Sequence, residues 1–269
     1  MNLIQRLIVA VIFIPMILFI SYTANPIWLT LFTMIIACGA VFEIYRMFAV
    51  KRILYYGLTV ILAGYTMLMA YWKTEVNSFA FIFSFMLVLA YEVVLYNKEQ
   101  ERDLRRILVA VFANAYILFF LQYLVIAKTT LPKAMIWVPV LFISVWIIDT
   151  AAYAFGMWLG KNNRGILIVS PKKSLQGFLG GILFPAGLAV LFHNQLHITI
   201  IQAALGMILF AVTVQIGDLA ESLIKRYANV KDSSNIIIGH GGIFDRFDSL
   251  IFSVPVFFFL VKMLCEKGT

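Results

Sequence analysis

The feature that most constrains this chain is a succession of long apolar runs separated by short polar segments. A membrane-spanning helix needs about 20 mostly apolar residues, with a range of about 17–25. Runs of that kind fall at residues 7–23, 27–45, 53–71, 78–96, 106–127, 134–158, 177–193, 198–222 and 249–265. In lipid, backbone polar groups find partners only within helices or closed barrels, and runs of this length suit helices. The expected fold is all-α: a polytopic integral membrane protein with about nine transmembrane helices. A water-soluble globule is excluded, because a chain that is 63% hydrophobic and 13% charged has too little polar surface to cover one. The basic start and first apolar run have the outline of a secretory signal. No small-x-small cleavage site follows, so a retained first helix is expected.

Charge orients these helices. With the N-terminus inside, sixteen of the 21 basic residues fall in inside segments, among them Arg46, Lys51, Arg105, Arg106, Lys172, Lys173, Lys225 and Arg226. Lys73, Lys128, Lys133, Lys262 and Lys267 fall outside. That bias follows the positive-inside rule and supports an odd helix count, which places a multi-pass protein in the cell's inner (plasma) membrane with its loop chemistry on the cytoplasmic side. The net charge of +8 then reflects basic loops held against anionic headgroups; nucleic acid is not an expected partner. The two cysteines, Cys38 and Cys265, have no CxxC spacing and indicate neither zinc nor a disulfide. Residues 1–130 read as N-terminal transmembrane helices, and 131–269 as a C-terminal transmembrane catalytic region with cytoplasmic loops.

Six of the thirteen acidic residues lie between Asp149 and Asp248, and there the chemistry is expected. Two inside loops stand out, 161–181 and 218–249, with Asp149 in the helix that feeds the first. Asp218 and Glu221 are three residues apart, and Ser222 and Lys225 continue that helical face. Asp245 and Asp248 repeat the spacing beside Arg246. Carboxylate oxygens are the ligands of hard cations, and Mg2+ commonly joins one or two carboxylates to substrate phosphates. Asp218, Asp245 and Asp248 around a Gly-rich turn are therefore the expected metal ligands; the bland alternative is interfacial ion pairs with Lys225, Arg226, Lys231 and Arg246. His240, Gly241 and Gly242 let the backbone approach a phosphate closely. Lys172, Lys173 and Ser174 offer two ammonium groups and a hydroxyl to a polyphosphate or an acidic lipid headgroup. Glu43, beside Tyr45 and Arg46, reads as a helix-end ion pair, with a buried contact from Glu43 or Glu92 to the site as the other reading.

At these residues the chain resembles a known family. Ser222-Leu-Ile-Lys225-Arg226, then Lys231-Asp232, then His240-Gly-Gly-Ile-Phe-Asp245-Arg246-Phe-Asp248 is similar to the signature of the phosphatidate cytidylyltransferases, or CDP-diacylglycerol synthases, and spans 27 residues. Asp149-Thr150-Ala-Ala-Tyr153 and Ser170-Pro171-Lys172-Lys173-Ser174 add to the match, which covers about the C-terminal half. One departure is Gln176, where the family usually carries an acid; Gln keeps hydrogen bonding and loses the charge. Ser174 replaces the usual threonine and keeps its hydroxyl.

The resemblance implies that CTP and phosphatidic acid give CDP-diacylglycerol and pyrophosphate, with Mg2+ and a second metal ion left open. It implies catalytic roles for Asp218, Asp245, Asp248, Lys225 and His240, with the three aspartates at the metal. Substrate binding would fall to Lys172, Lys173, Ser174, Ser222, Arg226, Lys231, Gly241, Gly242, Arg246 and Asp149. Partners are CTP, phosphatidic acid and membrane lipid, and a homodimer is left open. A CDP-alcohol phosphotransferase would need a denser D-G-x-x-A-R array than this chain has. A transporter would gather its polar residues near the bilayer midplane. A CTP-dependent lipid kinase would move the γ-phosphate instead.

Overall fold

Each apolar run becomes a helix. The computed structural model describes residues 3–72, 78–96, 104–160, 165, 168–195, 198–236 and 241–266. Among these described residues there are nine helices and no strand: α1 (Leu3–Tyr22), α2 (Ile27–Met47), α3 (Ile53–Tyr71), α4 (Ser78–Tyr96), α5 (Leu104–Thr130), α6 (Ala134–Trp158), α7 (Leu175–Leu191), α8 (Ile200–Tyr227) and α9 (Phe244–Glu266). Six of them (α2, α3, α5, α6, α8 and α9) are long and apolar enough to cross a membrane. The described apolar stretches of the other three are shorter; α7, at 17 residues, spans about 25 Å at ~1.5 Å per residue.

The helices outrun their apolar cores where the sequence turns polar. α8 continues to Tyr227 instead of stopping at 222, because Ala220, Glu221, Leu223, Lys225 and Arg226 are good helix formers. Its last turn carries Lys225 and Arg226, which favour the negative end of the helix dipole. α9 starts at Phe244 instead of 249, with Asp245 in its first turn, where a carboxylate suits the positive end. Both extensions turn loop residues into helix residues with fixed directions.

The distribution of side chains is that of a protein solvated by lipid. Large apolar residues such as Trp158, Leu191 and Ile201 are exposed, whereas Thr33, Glu43, Thr59 and Ser253 are fully buried. The buried hydroxyls satisfy themselves locally: Thr33 donates to Leu29 O at 2.7 Å and Thr66 to Leu62 O at 2.8 Å.

The chain divides into two units, residues 1–130 with 228–247, and residues 131–227 with 248–269. In the first unit, α5 packs against α2, α3 and α4 and is buried along much of its length. Asn114 of α5 donates to Tyr45 Oη of α2 at 2.6 Å, and that phenol also meets Thr59 of α3 at 3.0 Å. Such interhelical hydrogen bonds keep polar groups paired where no water is available. In the second unit α7 lies between α6 and α8. Glycines let α7 close on α6: a Cβ at Gly177 would stand 2.7 Å from Ala152 O, and one at Gly181 would stand 2.8 Å from Ala152 Cβ.

Candidate active site

In the second unit, three carboxylates meet. Asp218 and Glu221 lie one turn apart on α8, and Asp248 projects from α9; ligand atoms of all three lie within 4.8 Å of one another. A missing side chain makes this convergence possible. A Cβ at Gly217 would lie 2.8 Å from Phe252 Cβ and 3.1 Å from Asp248 O, so only glycine allows α9 so near to the residue before Asp218. Phe210 and Phe257, with ring centroids 5.3 Å apart, hold the same two helices together further along.

Two lysines offset the negative charge. Lys173 Nζ lies 2.5 Å from Asp218 Oδ2, and Lys225 pairs with Glu221 one turn below it on α8. Asp149 of α6 interacts electrostatically with Asp218 and Lys173, and Asp248 with Asp218, Asp149 and Lys225. Lys173 reaches Asp218 from the turn that leads into α7. Ser174 caps that helix, its Oγ accepting the Gly177 N–H at 3.1 Å. Arg226 Nε donates to Val169 O at 3.4 Å, tying the end of α8 to the same loop.

The donor set fits a divalent cation. Three carboxylate oxygens on two helices form an all-oxygen group of the kind hard cations take. Asp218, Glu221 and Asp248 would hold the ion.

The first unit places Asp245 differently. Its carboxylate accepts the Ser233 N–H at 3.0 Å and the Gly242 N–H at 2.8 Å. Gly241 needs to be glycine, since its φ is +80° and a Cβ would lie 2.6 Å from Asp245 Oδ2. Glu43, fully buried on α2, accepts hydrogen bonds from Ser233 Oγ, Ser234 Oγ, Ile243 N and Phe244 N.

The expected site residues thus fall into groups. Asp218, Asp248, Lys173, Lys225 and Asp149 come together in one unit. Asp245, Gly241 and Gly242 are joined in the other. Ser222 is half-buried on α8, while Lys172, Lys231 and Arg246 are exposed. His240 lies outside the described residues. The sequence reading gave Glu221 no ligand role, although its spacing from Asp218 was visible. Glu43 carried one signal, a carboxylate at the end of an apolar run.

Carboxylates and ammonium groups thus gather on the helices of an apolar frame, where ionisable residues are costly to place. Residues 4–264 match the family model described as the Cytidylyltransferase family, and the chain belongs to that family of transferases. It is 30% identical over 256 residues to a phosphatidate cytidylyltransferase of Staphylococcus haemolyticus (strain JCSC1435), covering 93% of this chain and 94% of the relative. It is 35% identical over 184 residues to one of Bacillus subtilis (strain 168), covering 68% and 67%.

Proposed function

We propose that this protein transfers the cytidylyl group of CTP to phosphatidic acid, giving CDP-diacylglycerol and pyrophosphate for phospholipid synthesis. The observation that carries this reading is the meeting of Asp218, Glu221 and Asp248 beside Lys173 and Lys225, in a chain of the cytidylyltransferase family. An oxygen of the lipid phosphate attacks the α-phosphorus of CTP, the bond to the β-phosphate oxygen breaks, and pyrophosphate leaves. Both reactants are anionic, so catalysis rests on in-line positioning and charge neutralisation.

Divalent Mg2+, when bound by the three carboxylates, neutralises phosphate oxygens. Lys173 and Lys225, paired with Asp218 and Glu221, are placed to neutralise phosphate oxygens of the substrates, while the three carboxylates would hold the cation. Lys172, Arg226, Lys231 and Arg246 add positive charge for the triphosphate and the lipid headgroup. Asp149 adds its charge near Lys173, Ser174 holds the lysine turn at the start of α7, and Ser222, one turn after Asp218 on α8, offers a hydroxyl to the substrate. Gly241, Gly242 and His240 shape the nucleotide pocket, and Asp245 contributes through its grip on Gly242. Residues 131–269 form the catalytic region and 1–130 the supporting helices, with the site on the cytoplasmic face of the inner membrane, where CTP arrives from water. The 16-to-5 bias of basic residues supports that side, and labelling of an engineered cysteine at Lys172 from the cytoplasm alone checks it.

The test uses purified protein with phosphatidic acid, Mg2+ and CTP labelled at either the α- or the γ-phosphate. Label enters the lipid from the α position and stays in pyrophosphate from the γ position. Lipid labelled from the γ position would mean a CTP-dependent kinase, and no labelled lipid from either position would point to a transporter.

A further inference from the structure

A glutamate in the N-terminal half holds together a segment some 200 residues later. The Glu43 carboxylate takes four hydrogen bonds, and each oxygen receives one hydroxyl and one backbone N–H. Oε1 accepts Ser234 Oγ at 2.5 Å and Ile243 N at 2.9 Å; Oε2 accepts Ser233 Oγ at 2.9 Å and Phe244 N at 2.8 Å. These donors flank the glycine-containing stretch of the signature. Asp245 ties the same two ends a second time, through Ser233 N and Gly242 N.

Glu43 supplies the start of α9 with acceptors from a distant helix. Helices usually supply their own N-cap from Ser, Thr, Asp or Asn, and isoleucine is among the poorest residues there. α9 is preceded by Ile243, and Glu43 of α2 receives the N–H groups that a local cap would leave open. Space is reserved for this. Gly39, one turn before Glu43, has Ile243 packed over it, and a Cβ on Gly242 would stand 2.6 Å from Glu43 Oε1. Phe32 and Tyr116 pack edge-on against Phe247 and Phe244, at 6.0 and 6.4 Å between centroids, and fix the first turn of α9 from α2 and α5. A buried carboxylate whose hydrogen bonds all go to Ser233, Ser234, Ile243 and Phe244 holds those four residues in one arrangement.

We infer that Glu43 is a positioning residue for cytidylyl transfer: by tying Ser233 and Ser234 to Ile243 and Phe244 it fixes the backbone that carries Gly241, Gly242 and Asp245, which receive the nucleotide. The inference rests on the function proposed above.

The test is Glu43→Gln in the full-length protein, read by hydrogen exchange of residues 228–247 and by kcat and KM for CTP. The amide keeps the side chain's shape, but in either orientation its NH2 group faces one backbone N–H that can no longer be accepted. Exchange within 233–244 is expected to rise at least tenfold, and kcat/KM for CTP to fall roughly 10- to 100-fold, the scale of a ~1 Å misplacement. Ser233→Ala with Ser234→Ala leaves Glu43 in place, removes two donors, and should shift both readouts in the same direction. Combined with Glu43→Gln, this pair should add little. Glu92→Gln removes another membrane carboxylate, one that Tyr55 donates to, and should leave exchange of 228–247 unchanged.

Raised exchange with unaltered CTP kinetics in Glu43→Gln would overturn the positioning role. So would a Glu92→Gln protein that loosens 228–247 equally. If Glu43→Gln fails to fold, the serine pair decides alone, and unchanged exchange or kinetics in it overturns the inference. An inactive wild-type protein would defeat the proposed function instead, leaving the exchange comparison as a test of the clasp itself.

Discussion

Replacing Gly217 by alanine tests whether close approach of α8 and α9 builds the carboxylate cluster. The new methyl would lie 2.8 Å from Phe252 Cβ and 3.1 Å from both Asp248 O and Ser249 Cα. Carbon atoms pack best at about 3.5–4.0 Å, so the helices must part by roughly 0.5–1 Å. Two of the contacted atoms belong to backbone, which cannot rotate away. Overpacking of this kind costs about 1–3 kcal/mol of stability. The same displacement moves Asp248 from Asp218 and Glu221, and a misplacement of about 1 Å can cost ~100-fold in rate. Initial rates of lipid labelling across Mg2+ and CTP concentrations should show activity down about 10- to 100-fold, with the Mg2+ half-saturation raised. Gly206→Ala is the matched control on the same helix. No atom lies within 4 Å of its added Cβ, and the change should be neutral or stabilising by about 0.5–1 kcal/mol. Equal activity and equal Mg2+ dependence in the two variants would refute the close-approach argument.

Other expected outcomes follow from the same geometry. Asp218→Asn, Asp245→Asn and Asp248→Asn should each abolish turnover while membrane insertion, read by fractionation, stays intact; near-normal rates in the Asp218 and Asp248 variants would remove the metal assignment. Glu221→Gln should weaken Mn2+ binding, measured by electron paramagnetic resonance, because one of three ligands loses its charge. Chelation should stop lipid labelling, and added Mg2+ should restore it. Ser174→Ala removes the α7 cap and should cost about 1 kcal/mol in thermal stability, with a higher KM for CTP because Lys173 is the preceding residue.

Much of the helical frame was legible in the sequence because lipid imposes a simple rule: a long apolar run has to pair its own backbone. The same rule explains where the reading fell short. Apolarity marks the part of a helix in lipid and is silent on the polar turns beyond, so the apolar runs end at 222 and begin at 249 where the helices reach Tyr227 and start at Phe244. The spacing of Asp218 and Glu221 was visible, but nothing local showed that Asp248 would join this pair. Gly217 carries no sequence signal of its role, which lies in the packing of Phe252 against it. Glu43 and its partners are separated by 190 to 201 residues, and no periodicity reports a contact at that distance.

The measurement that bears most directly on the central claim is the ratio of pyrophosphate released to α-label recovered in lipid, taken in the wild-type protein and in Asp248→Asn under identical Mg2+, CTP and phosphatidic acid. Cytidylyl transfer at the carboxylate cluster predicts one pyrophosphate per labelled lipid in the wild type and neither product in the variant. Labelled lipid made by Asp248→Asn at the wild-type rate, or pyrophosphate released without labelled lipid, would contradict it.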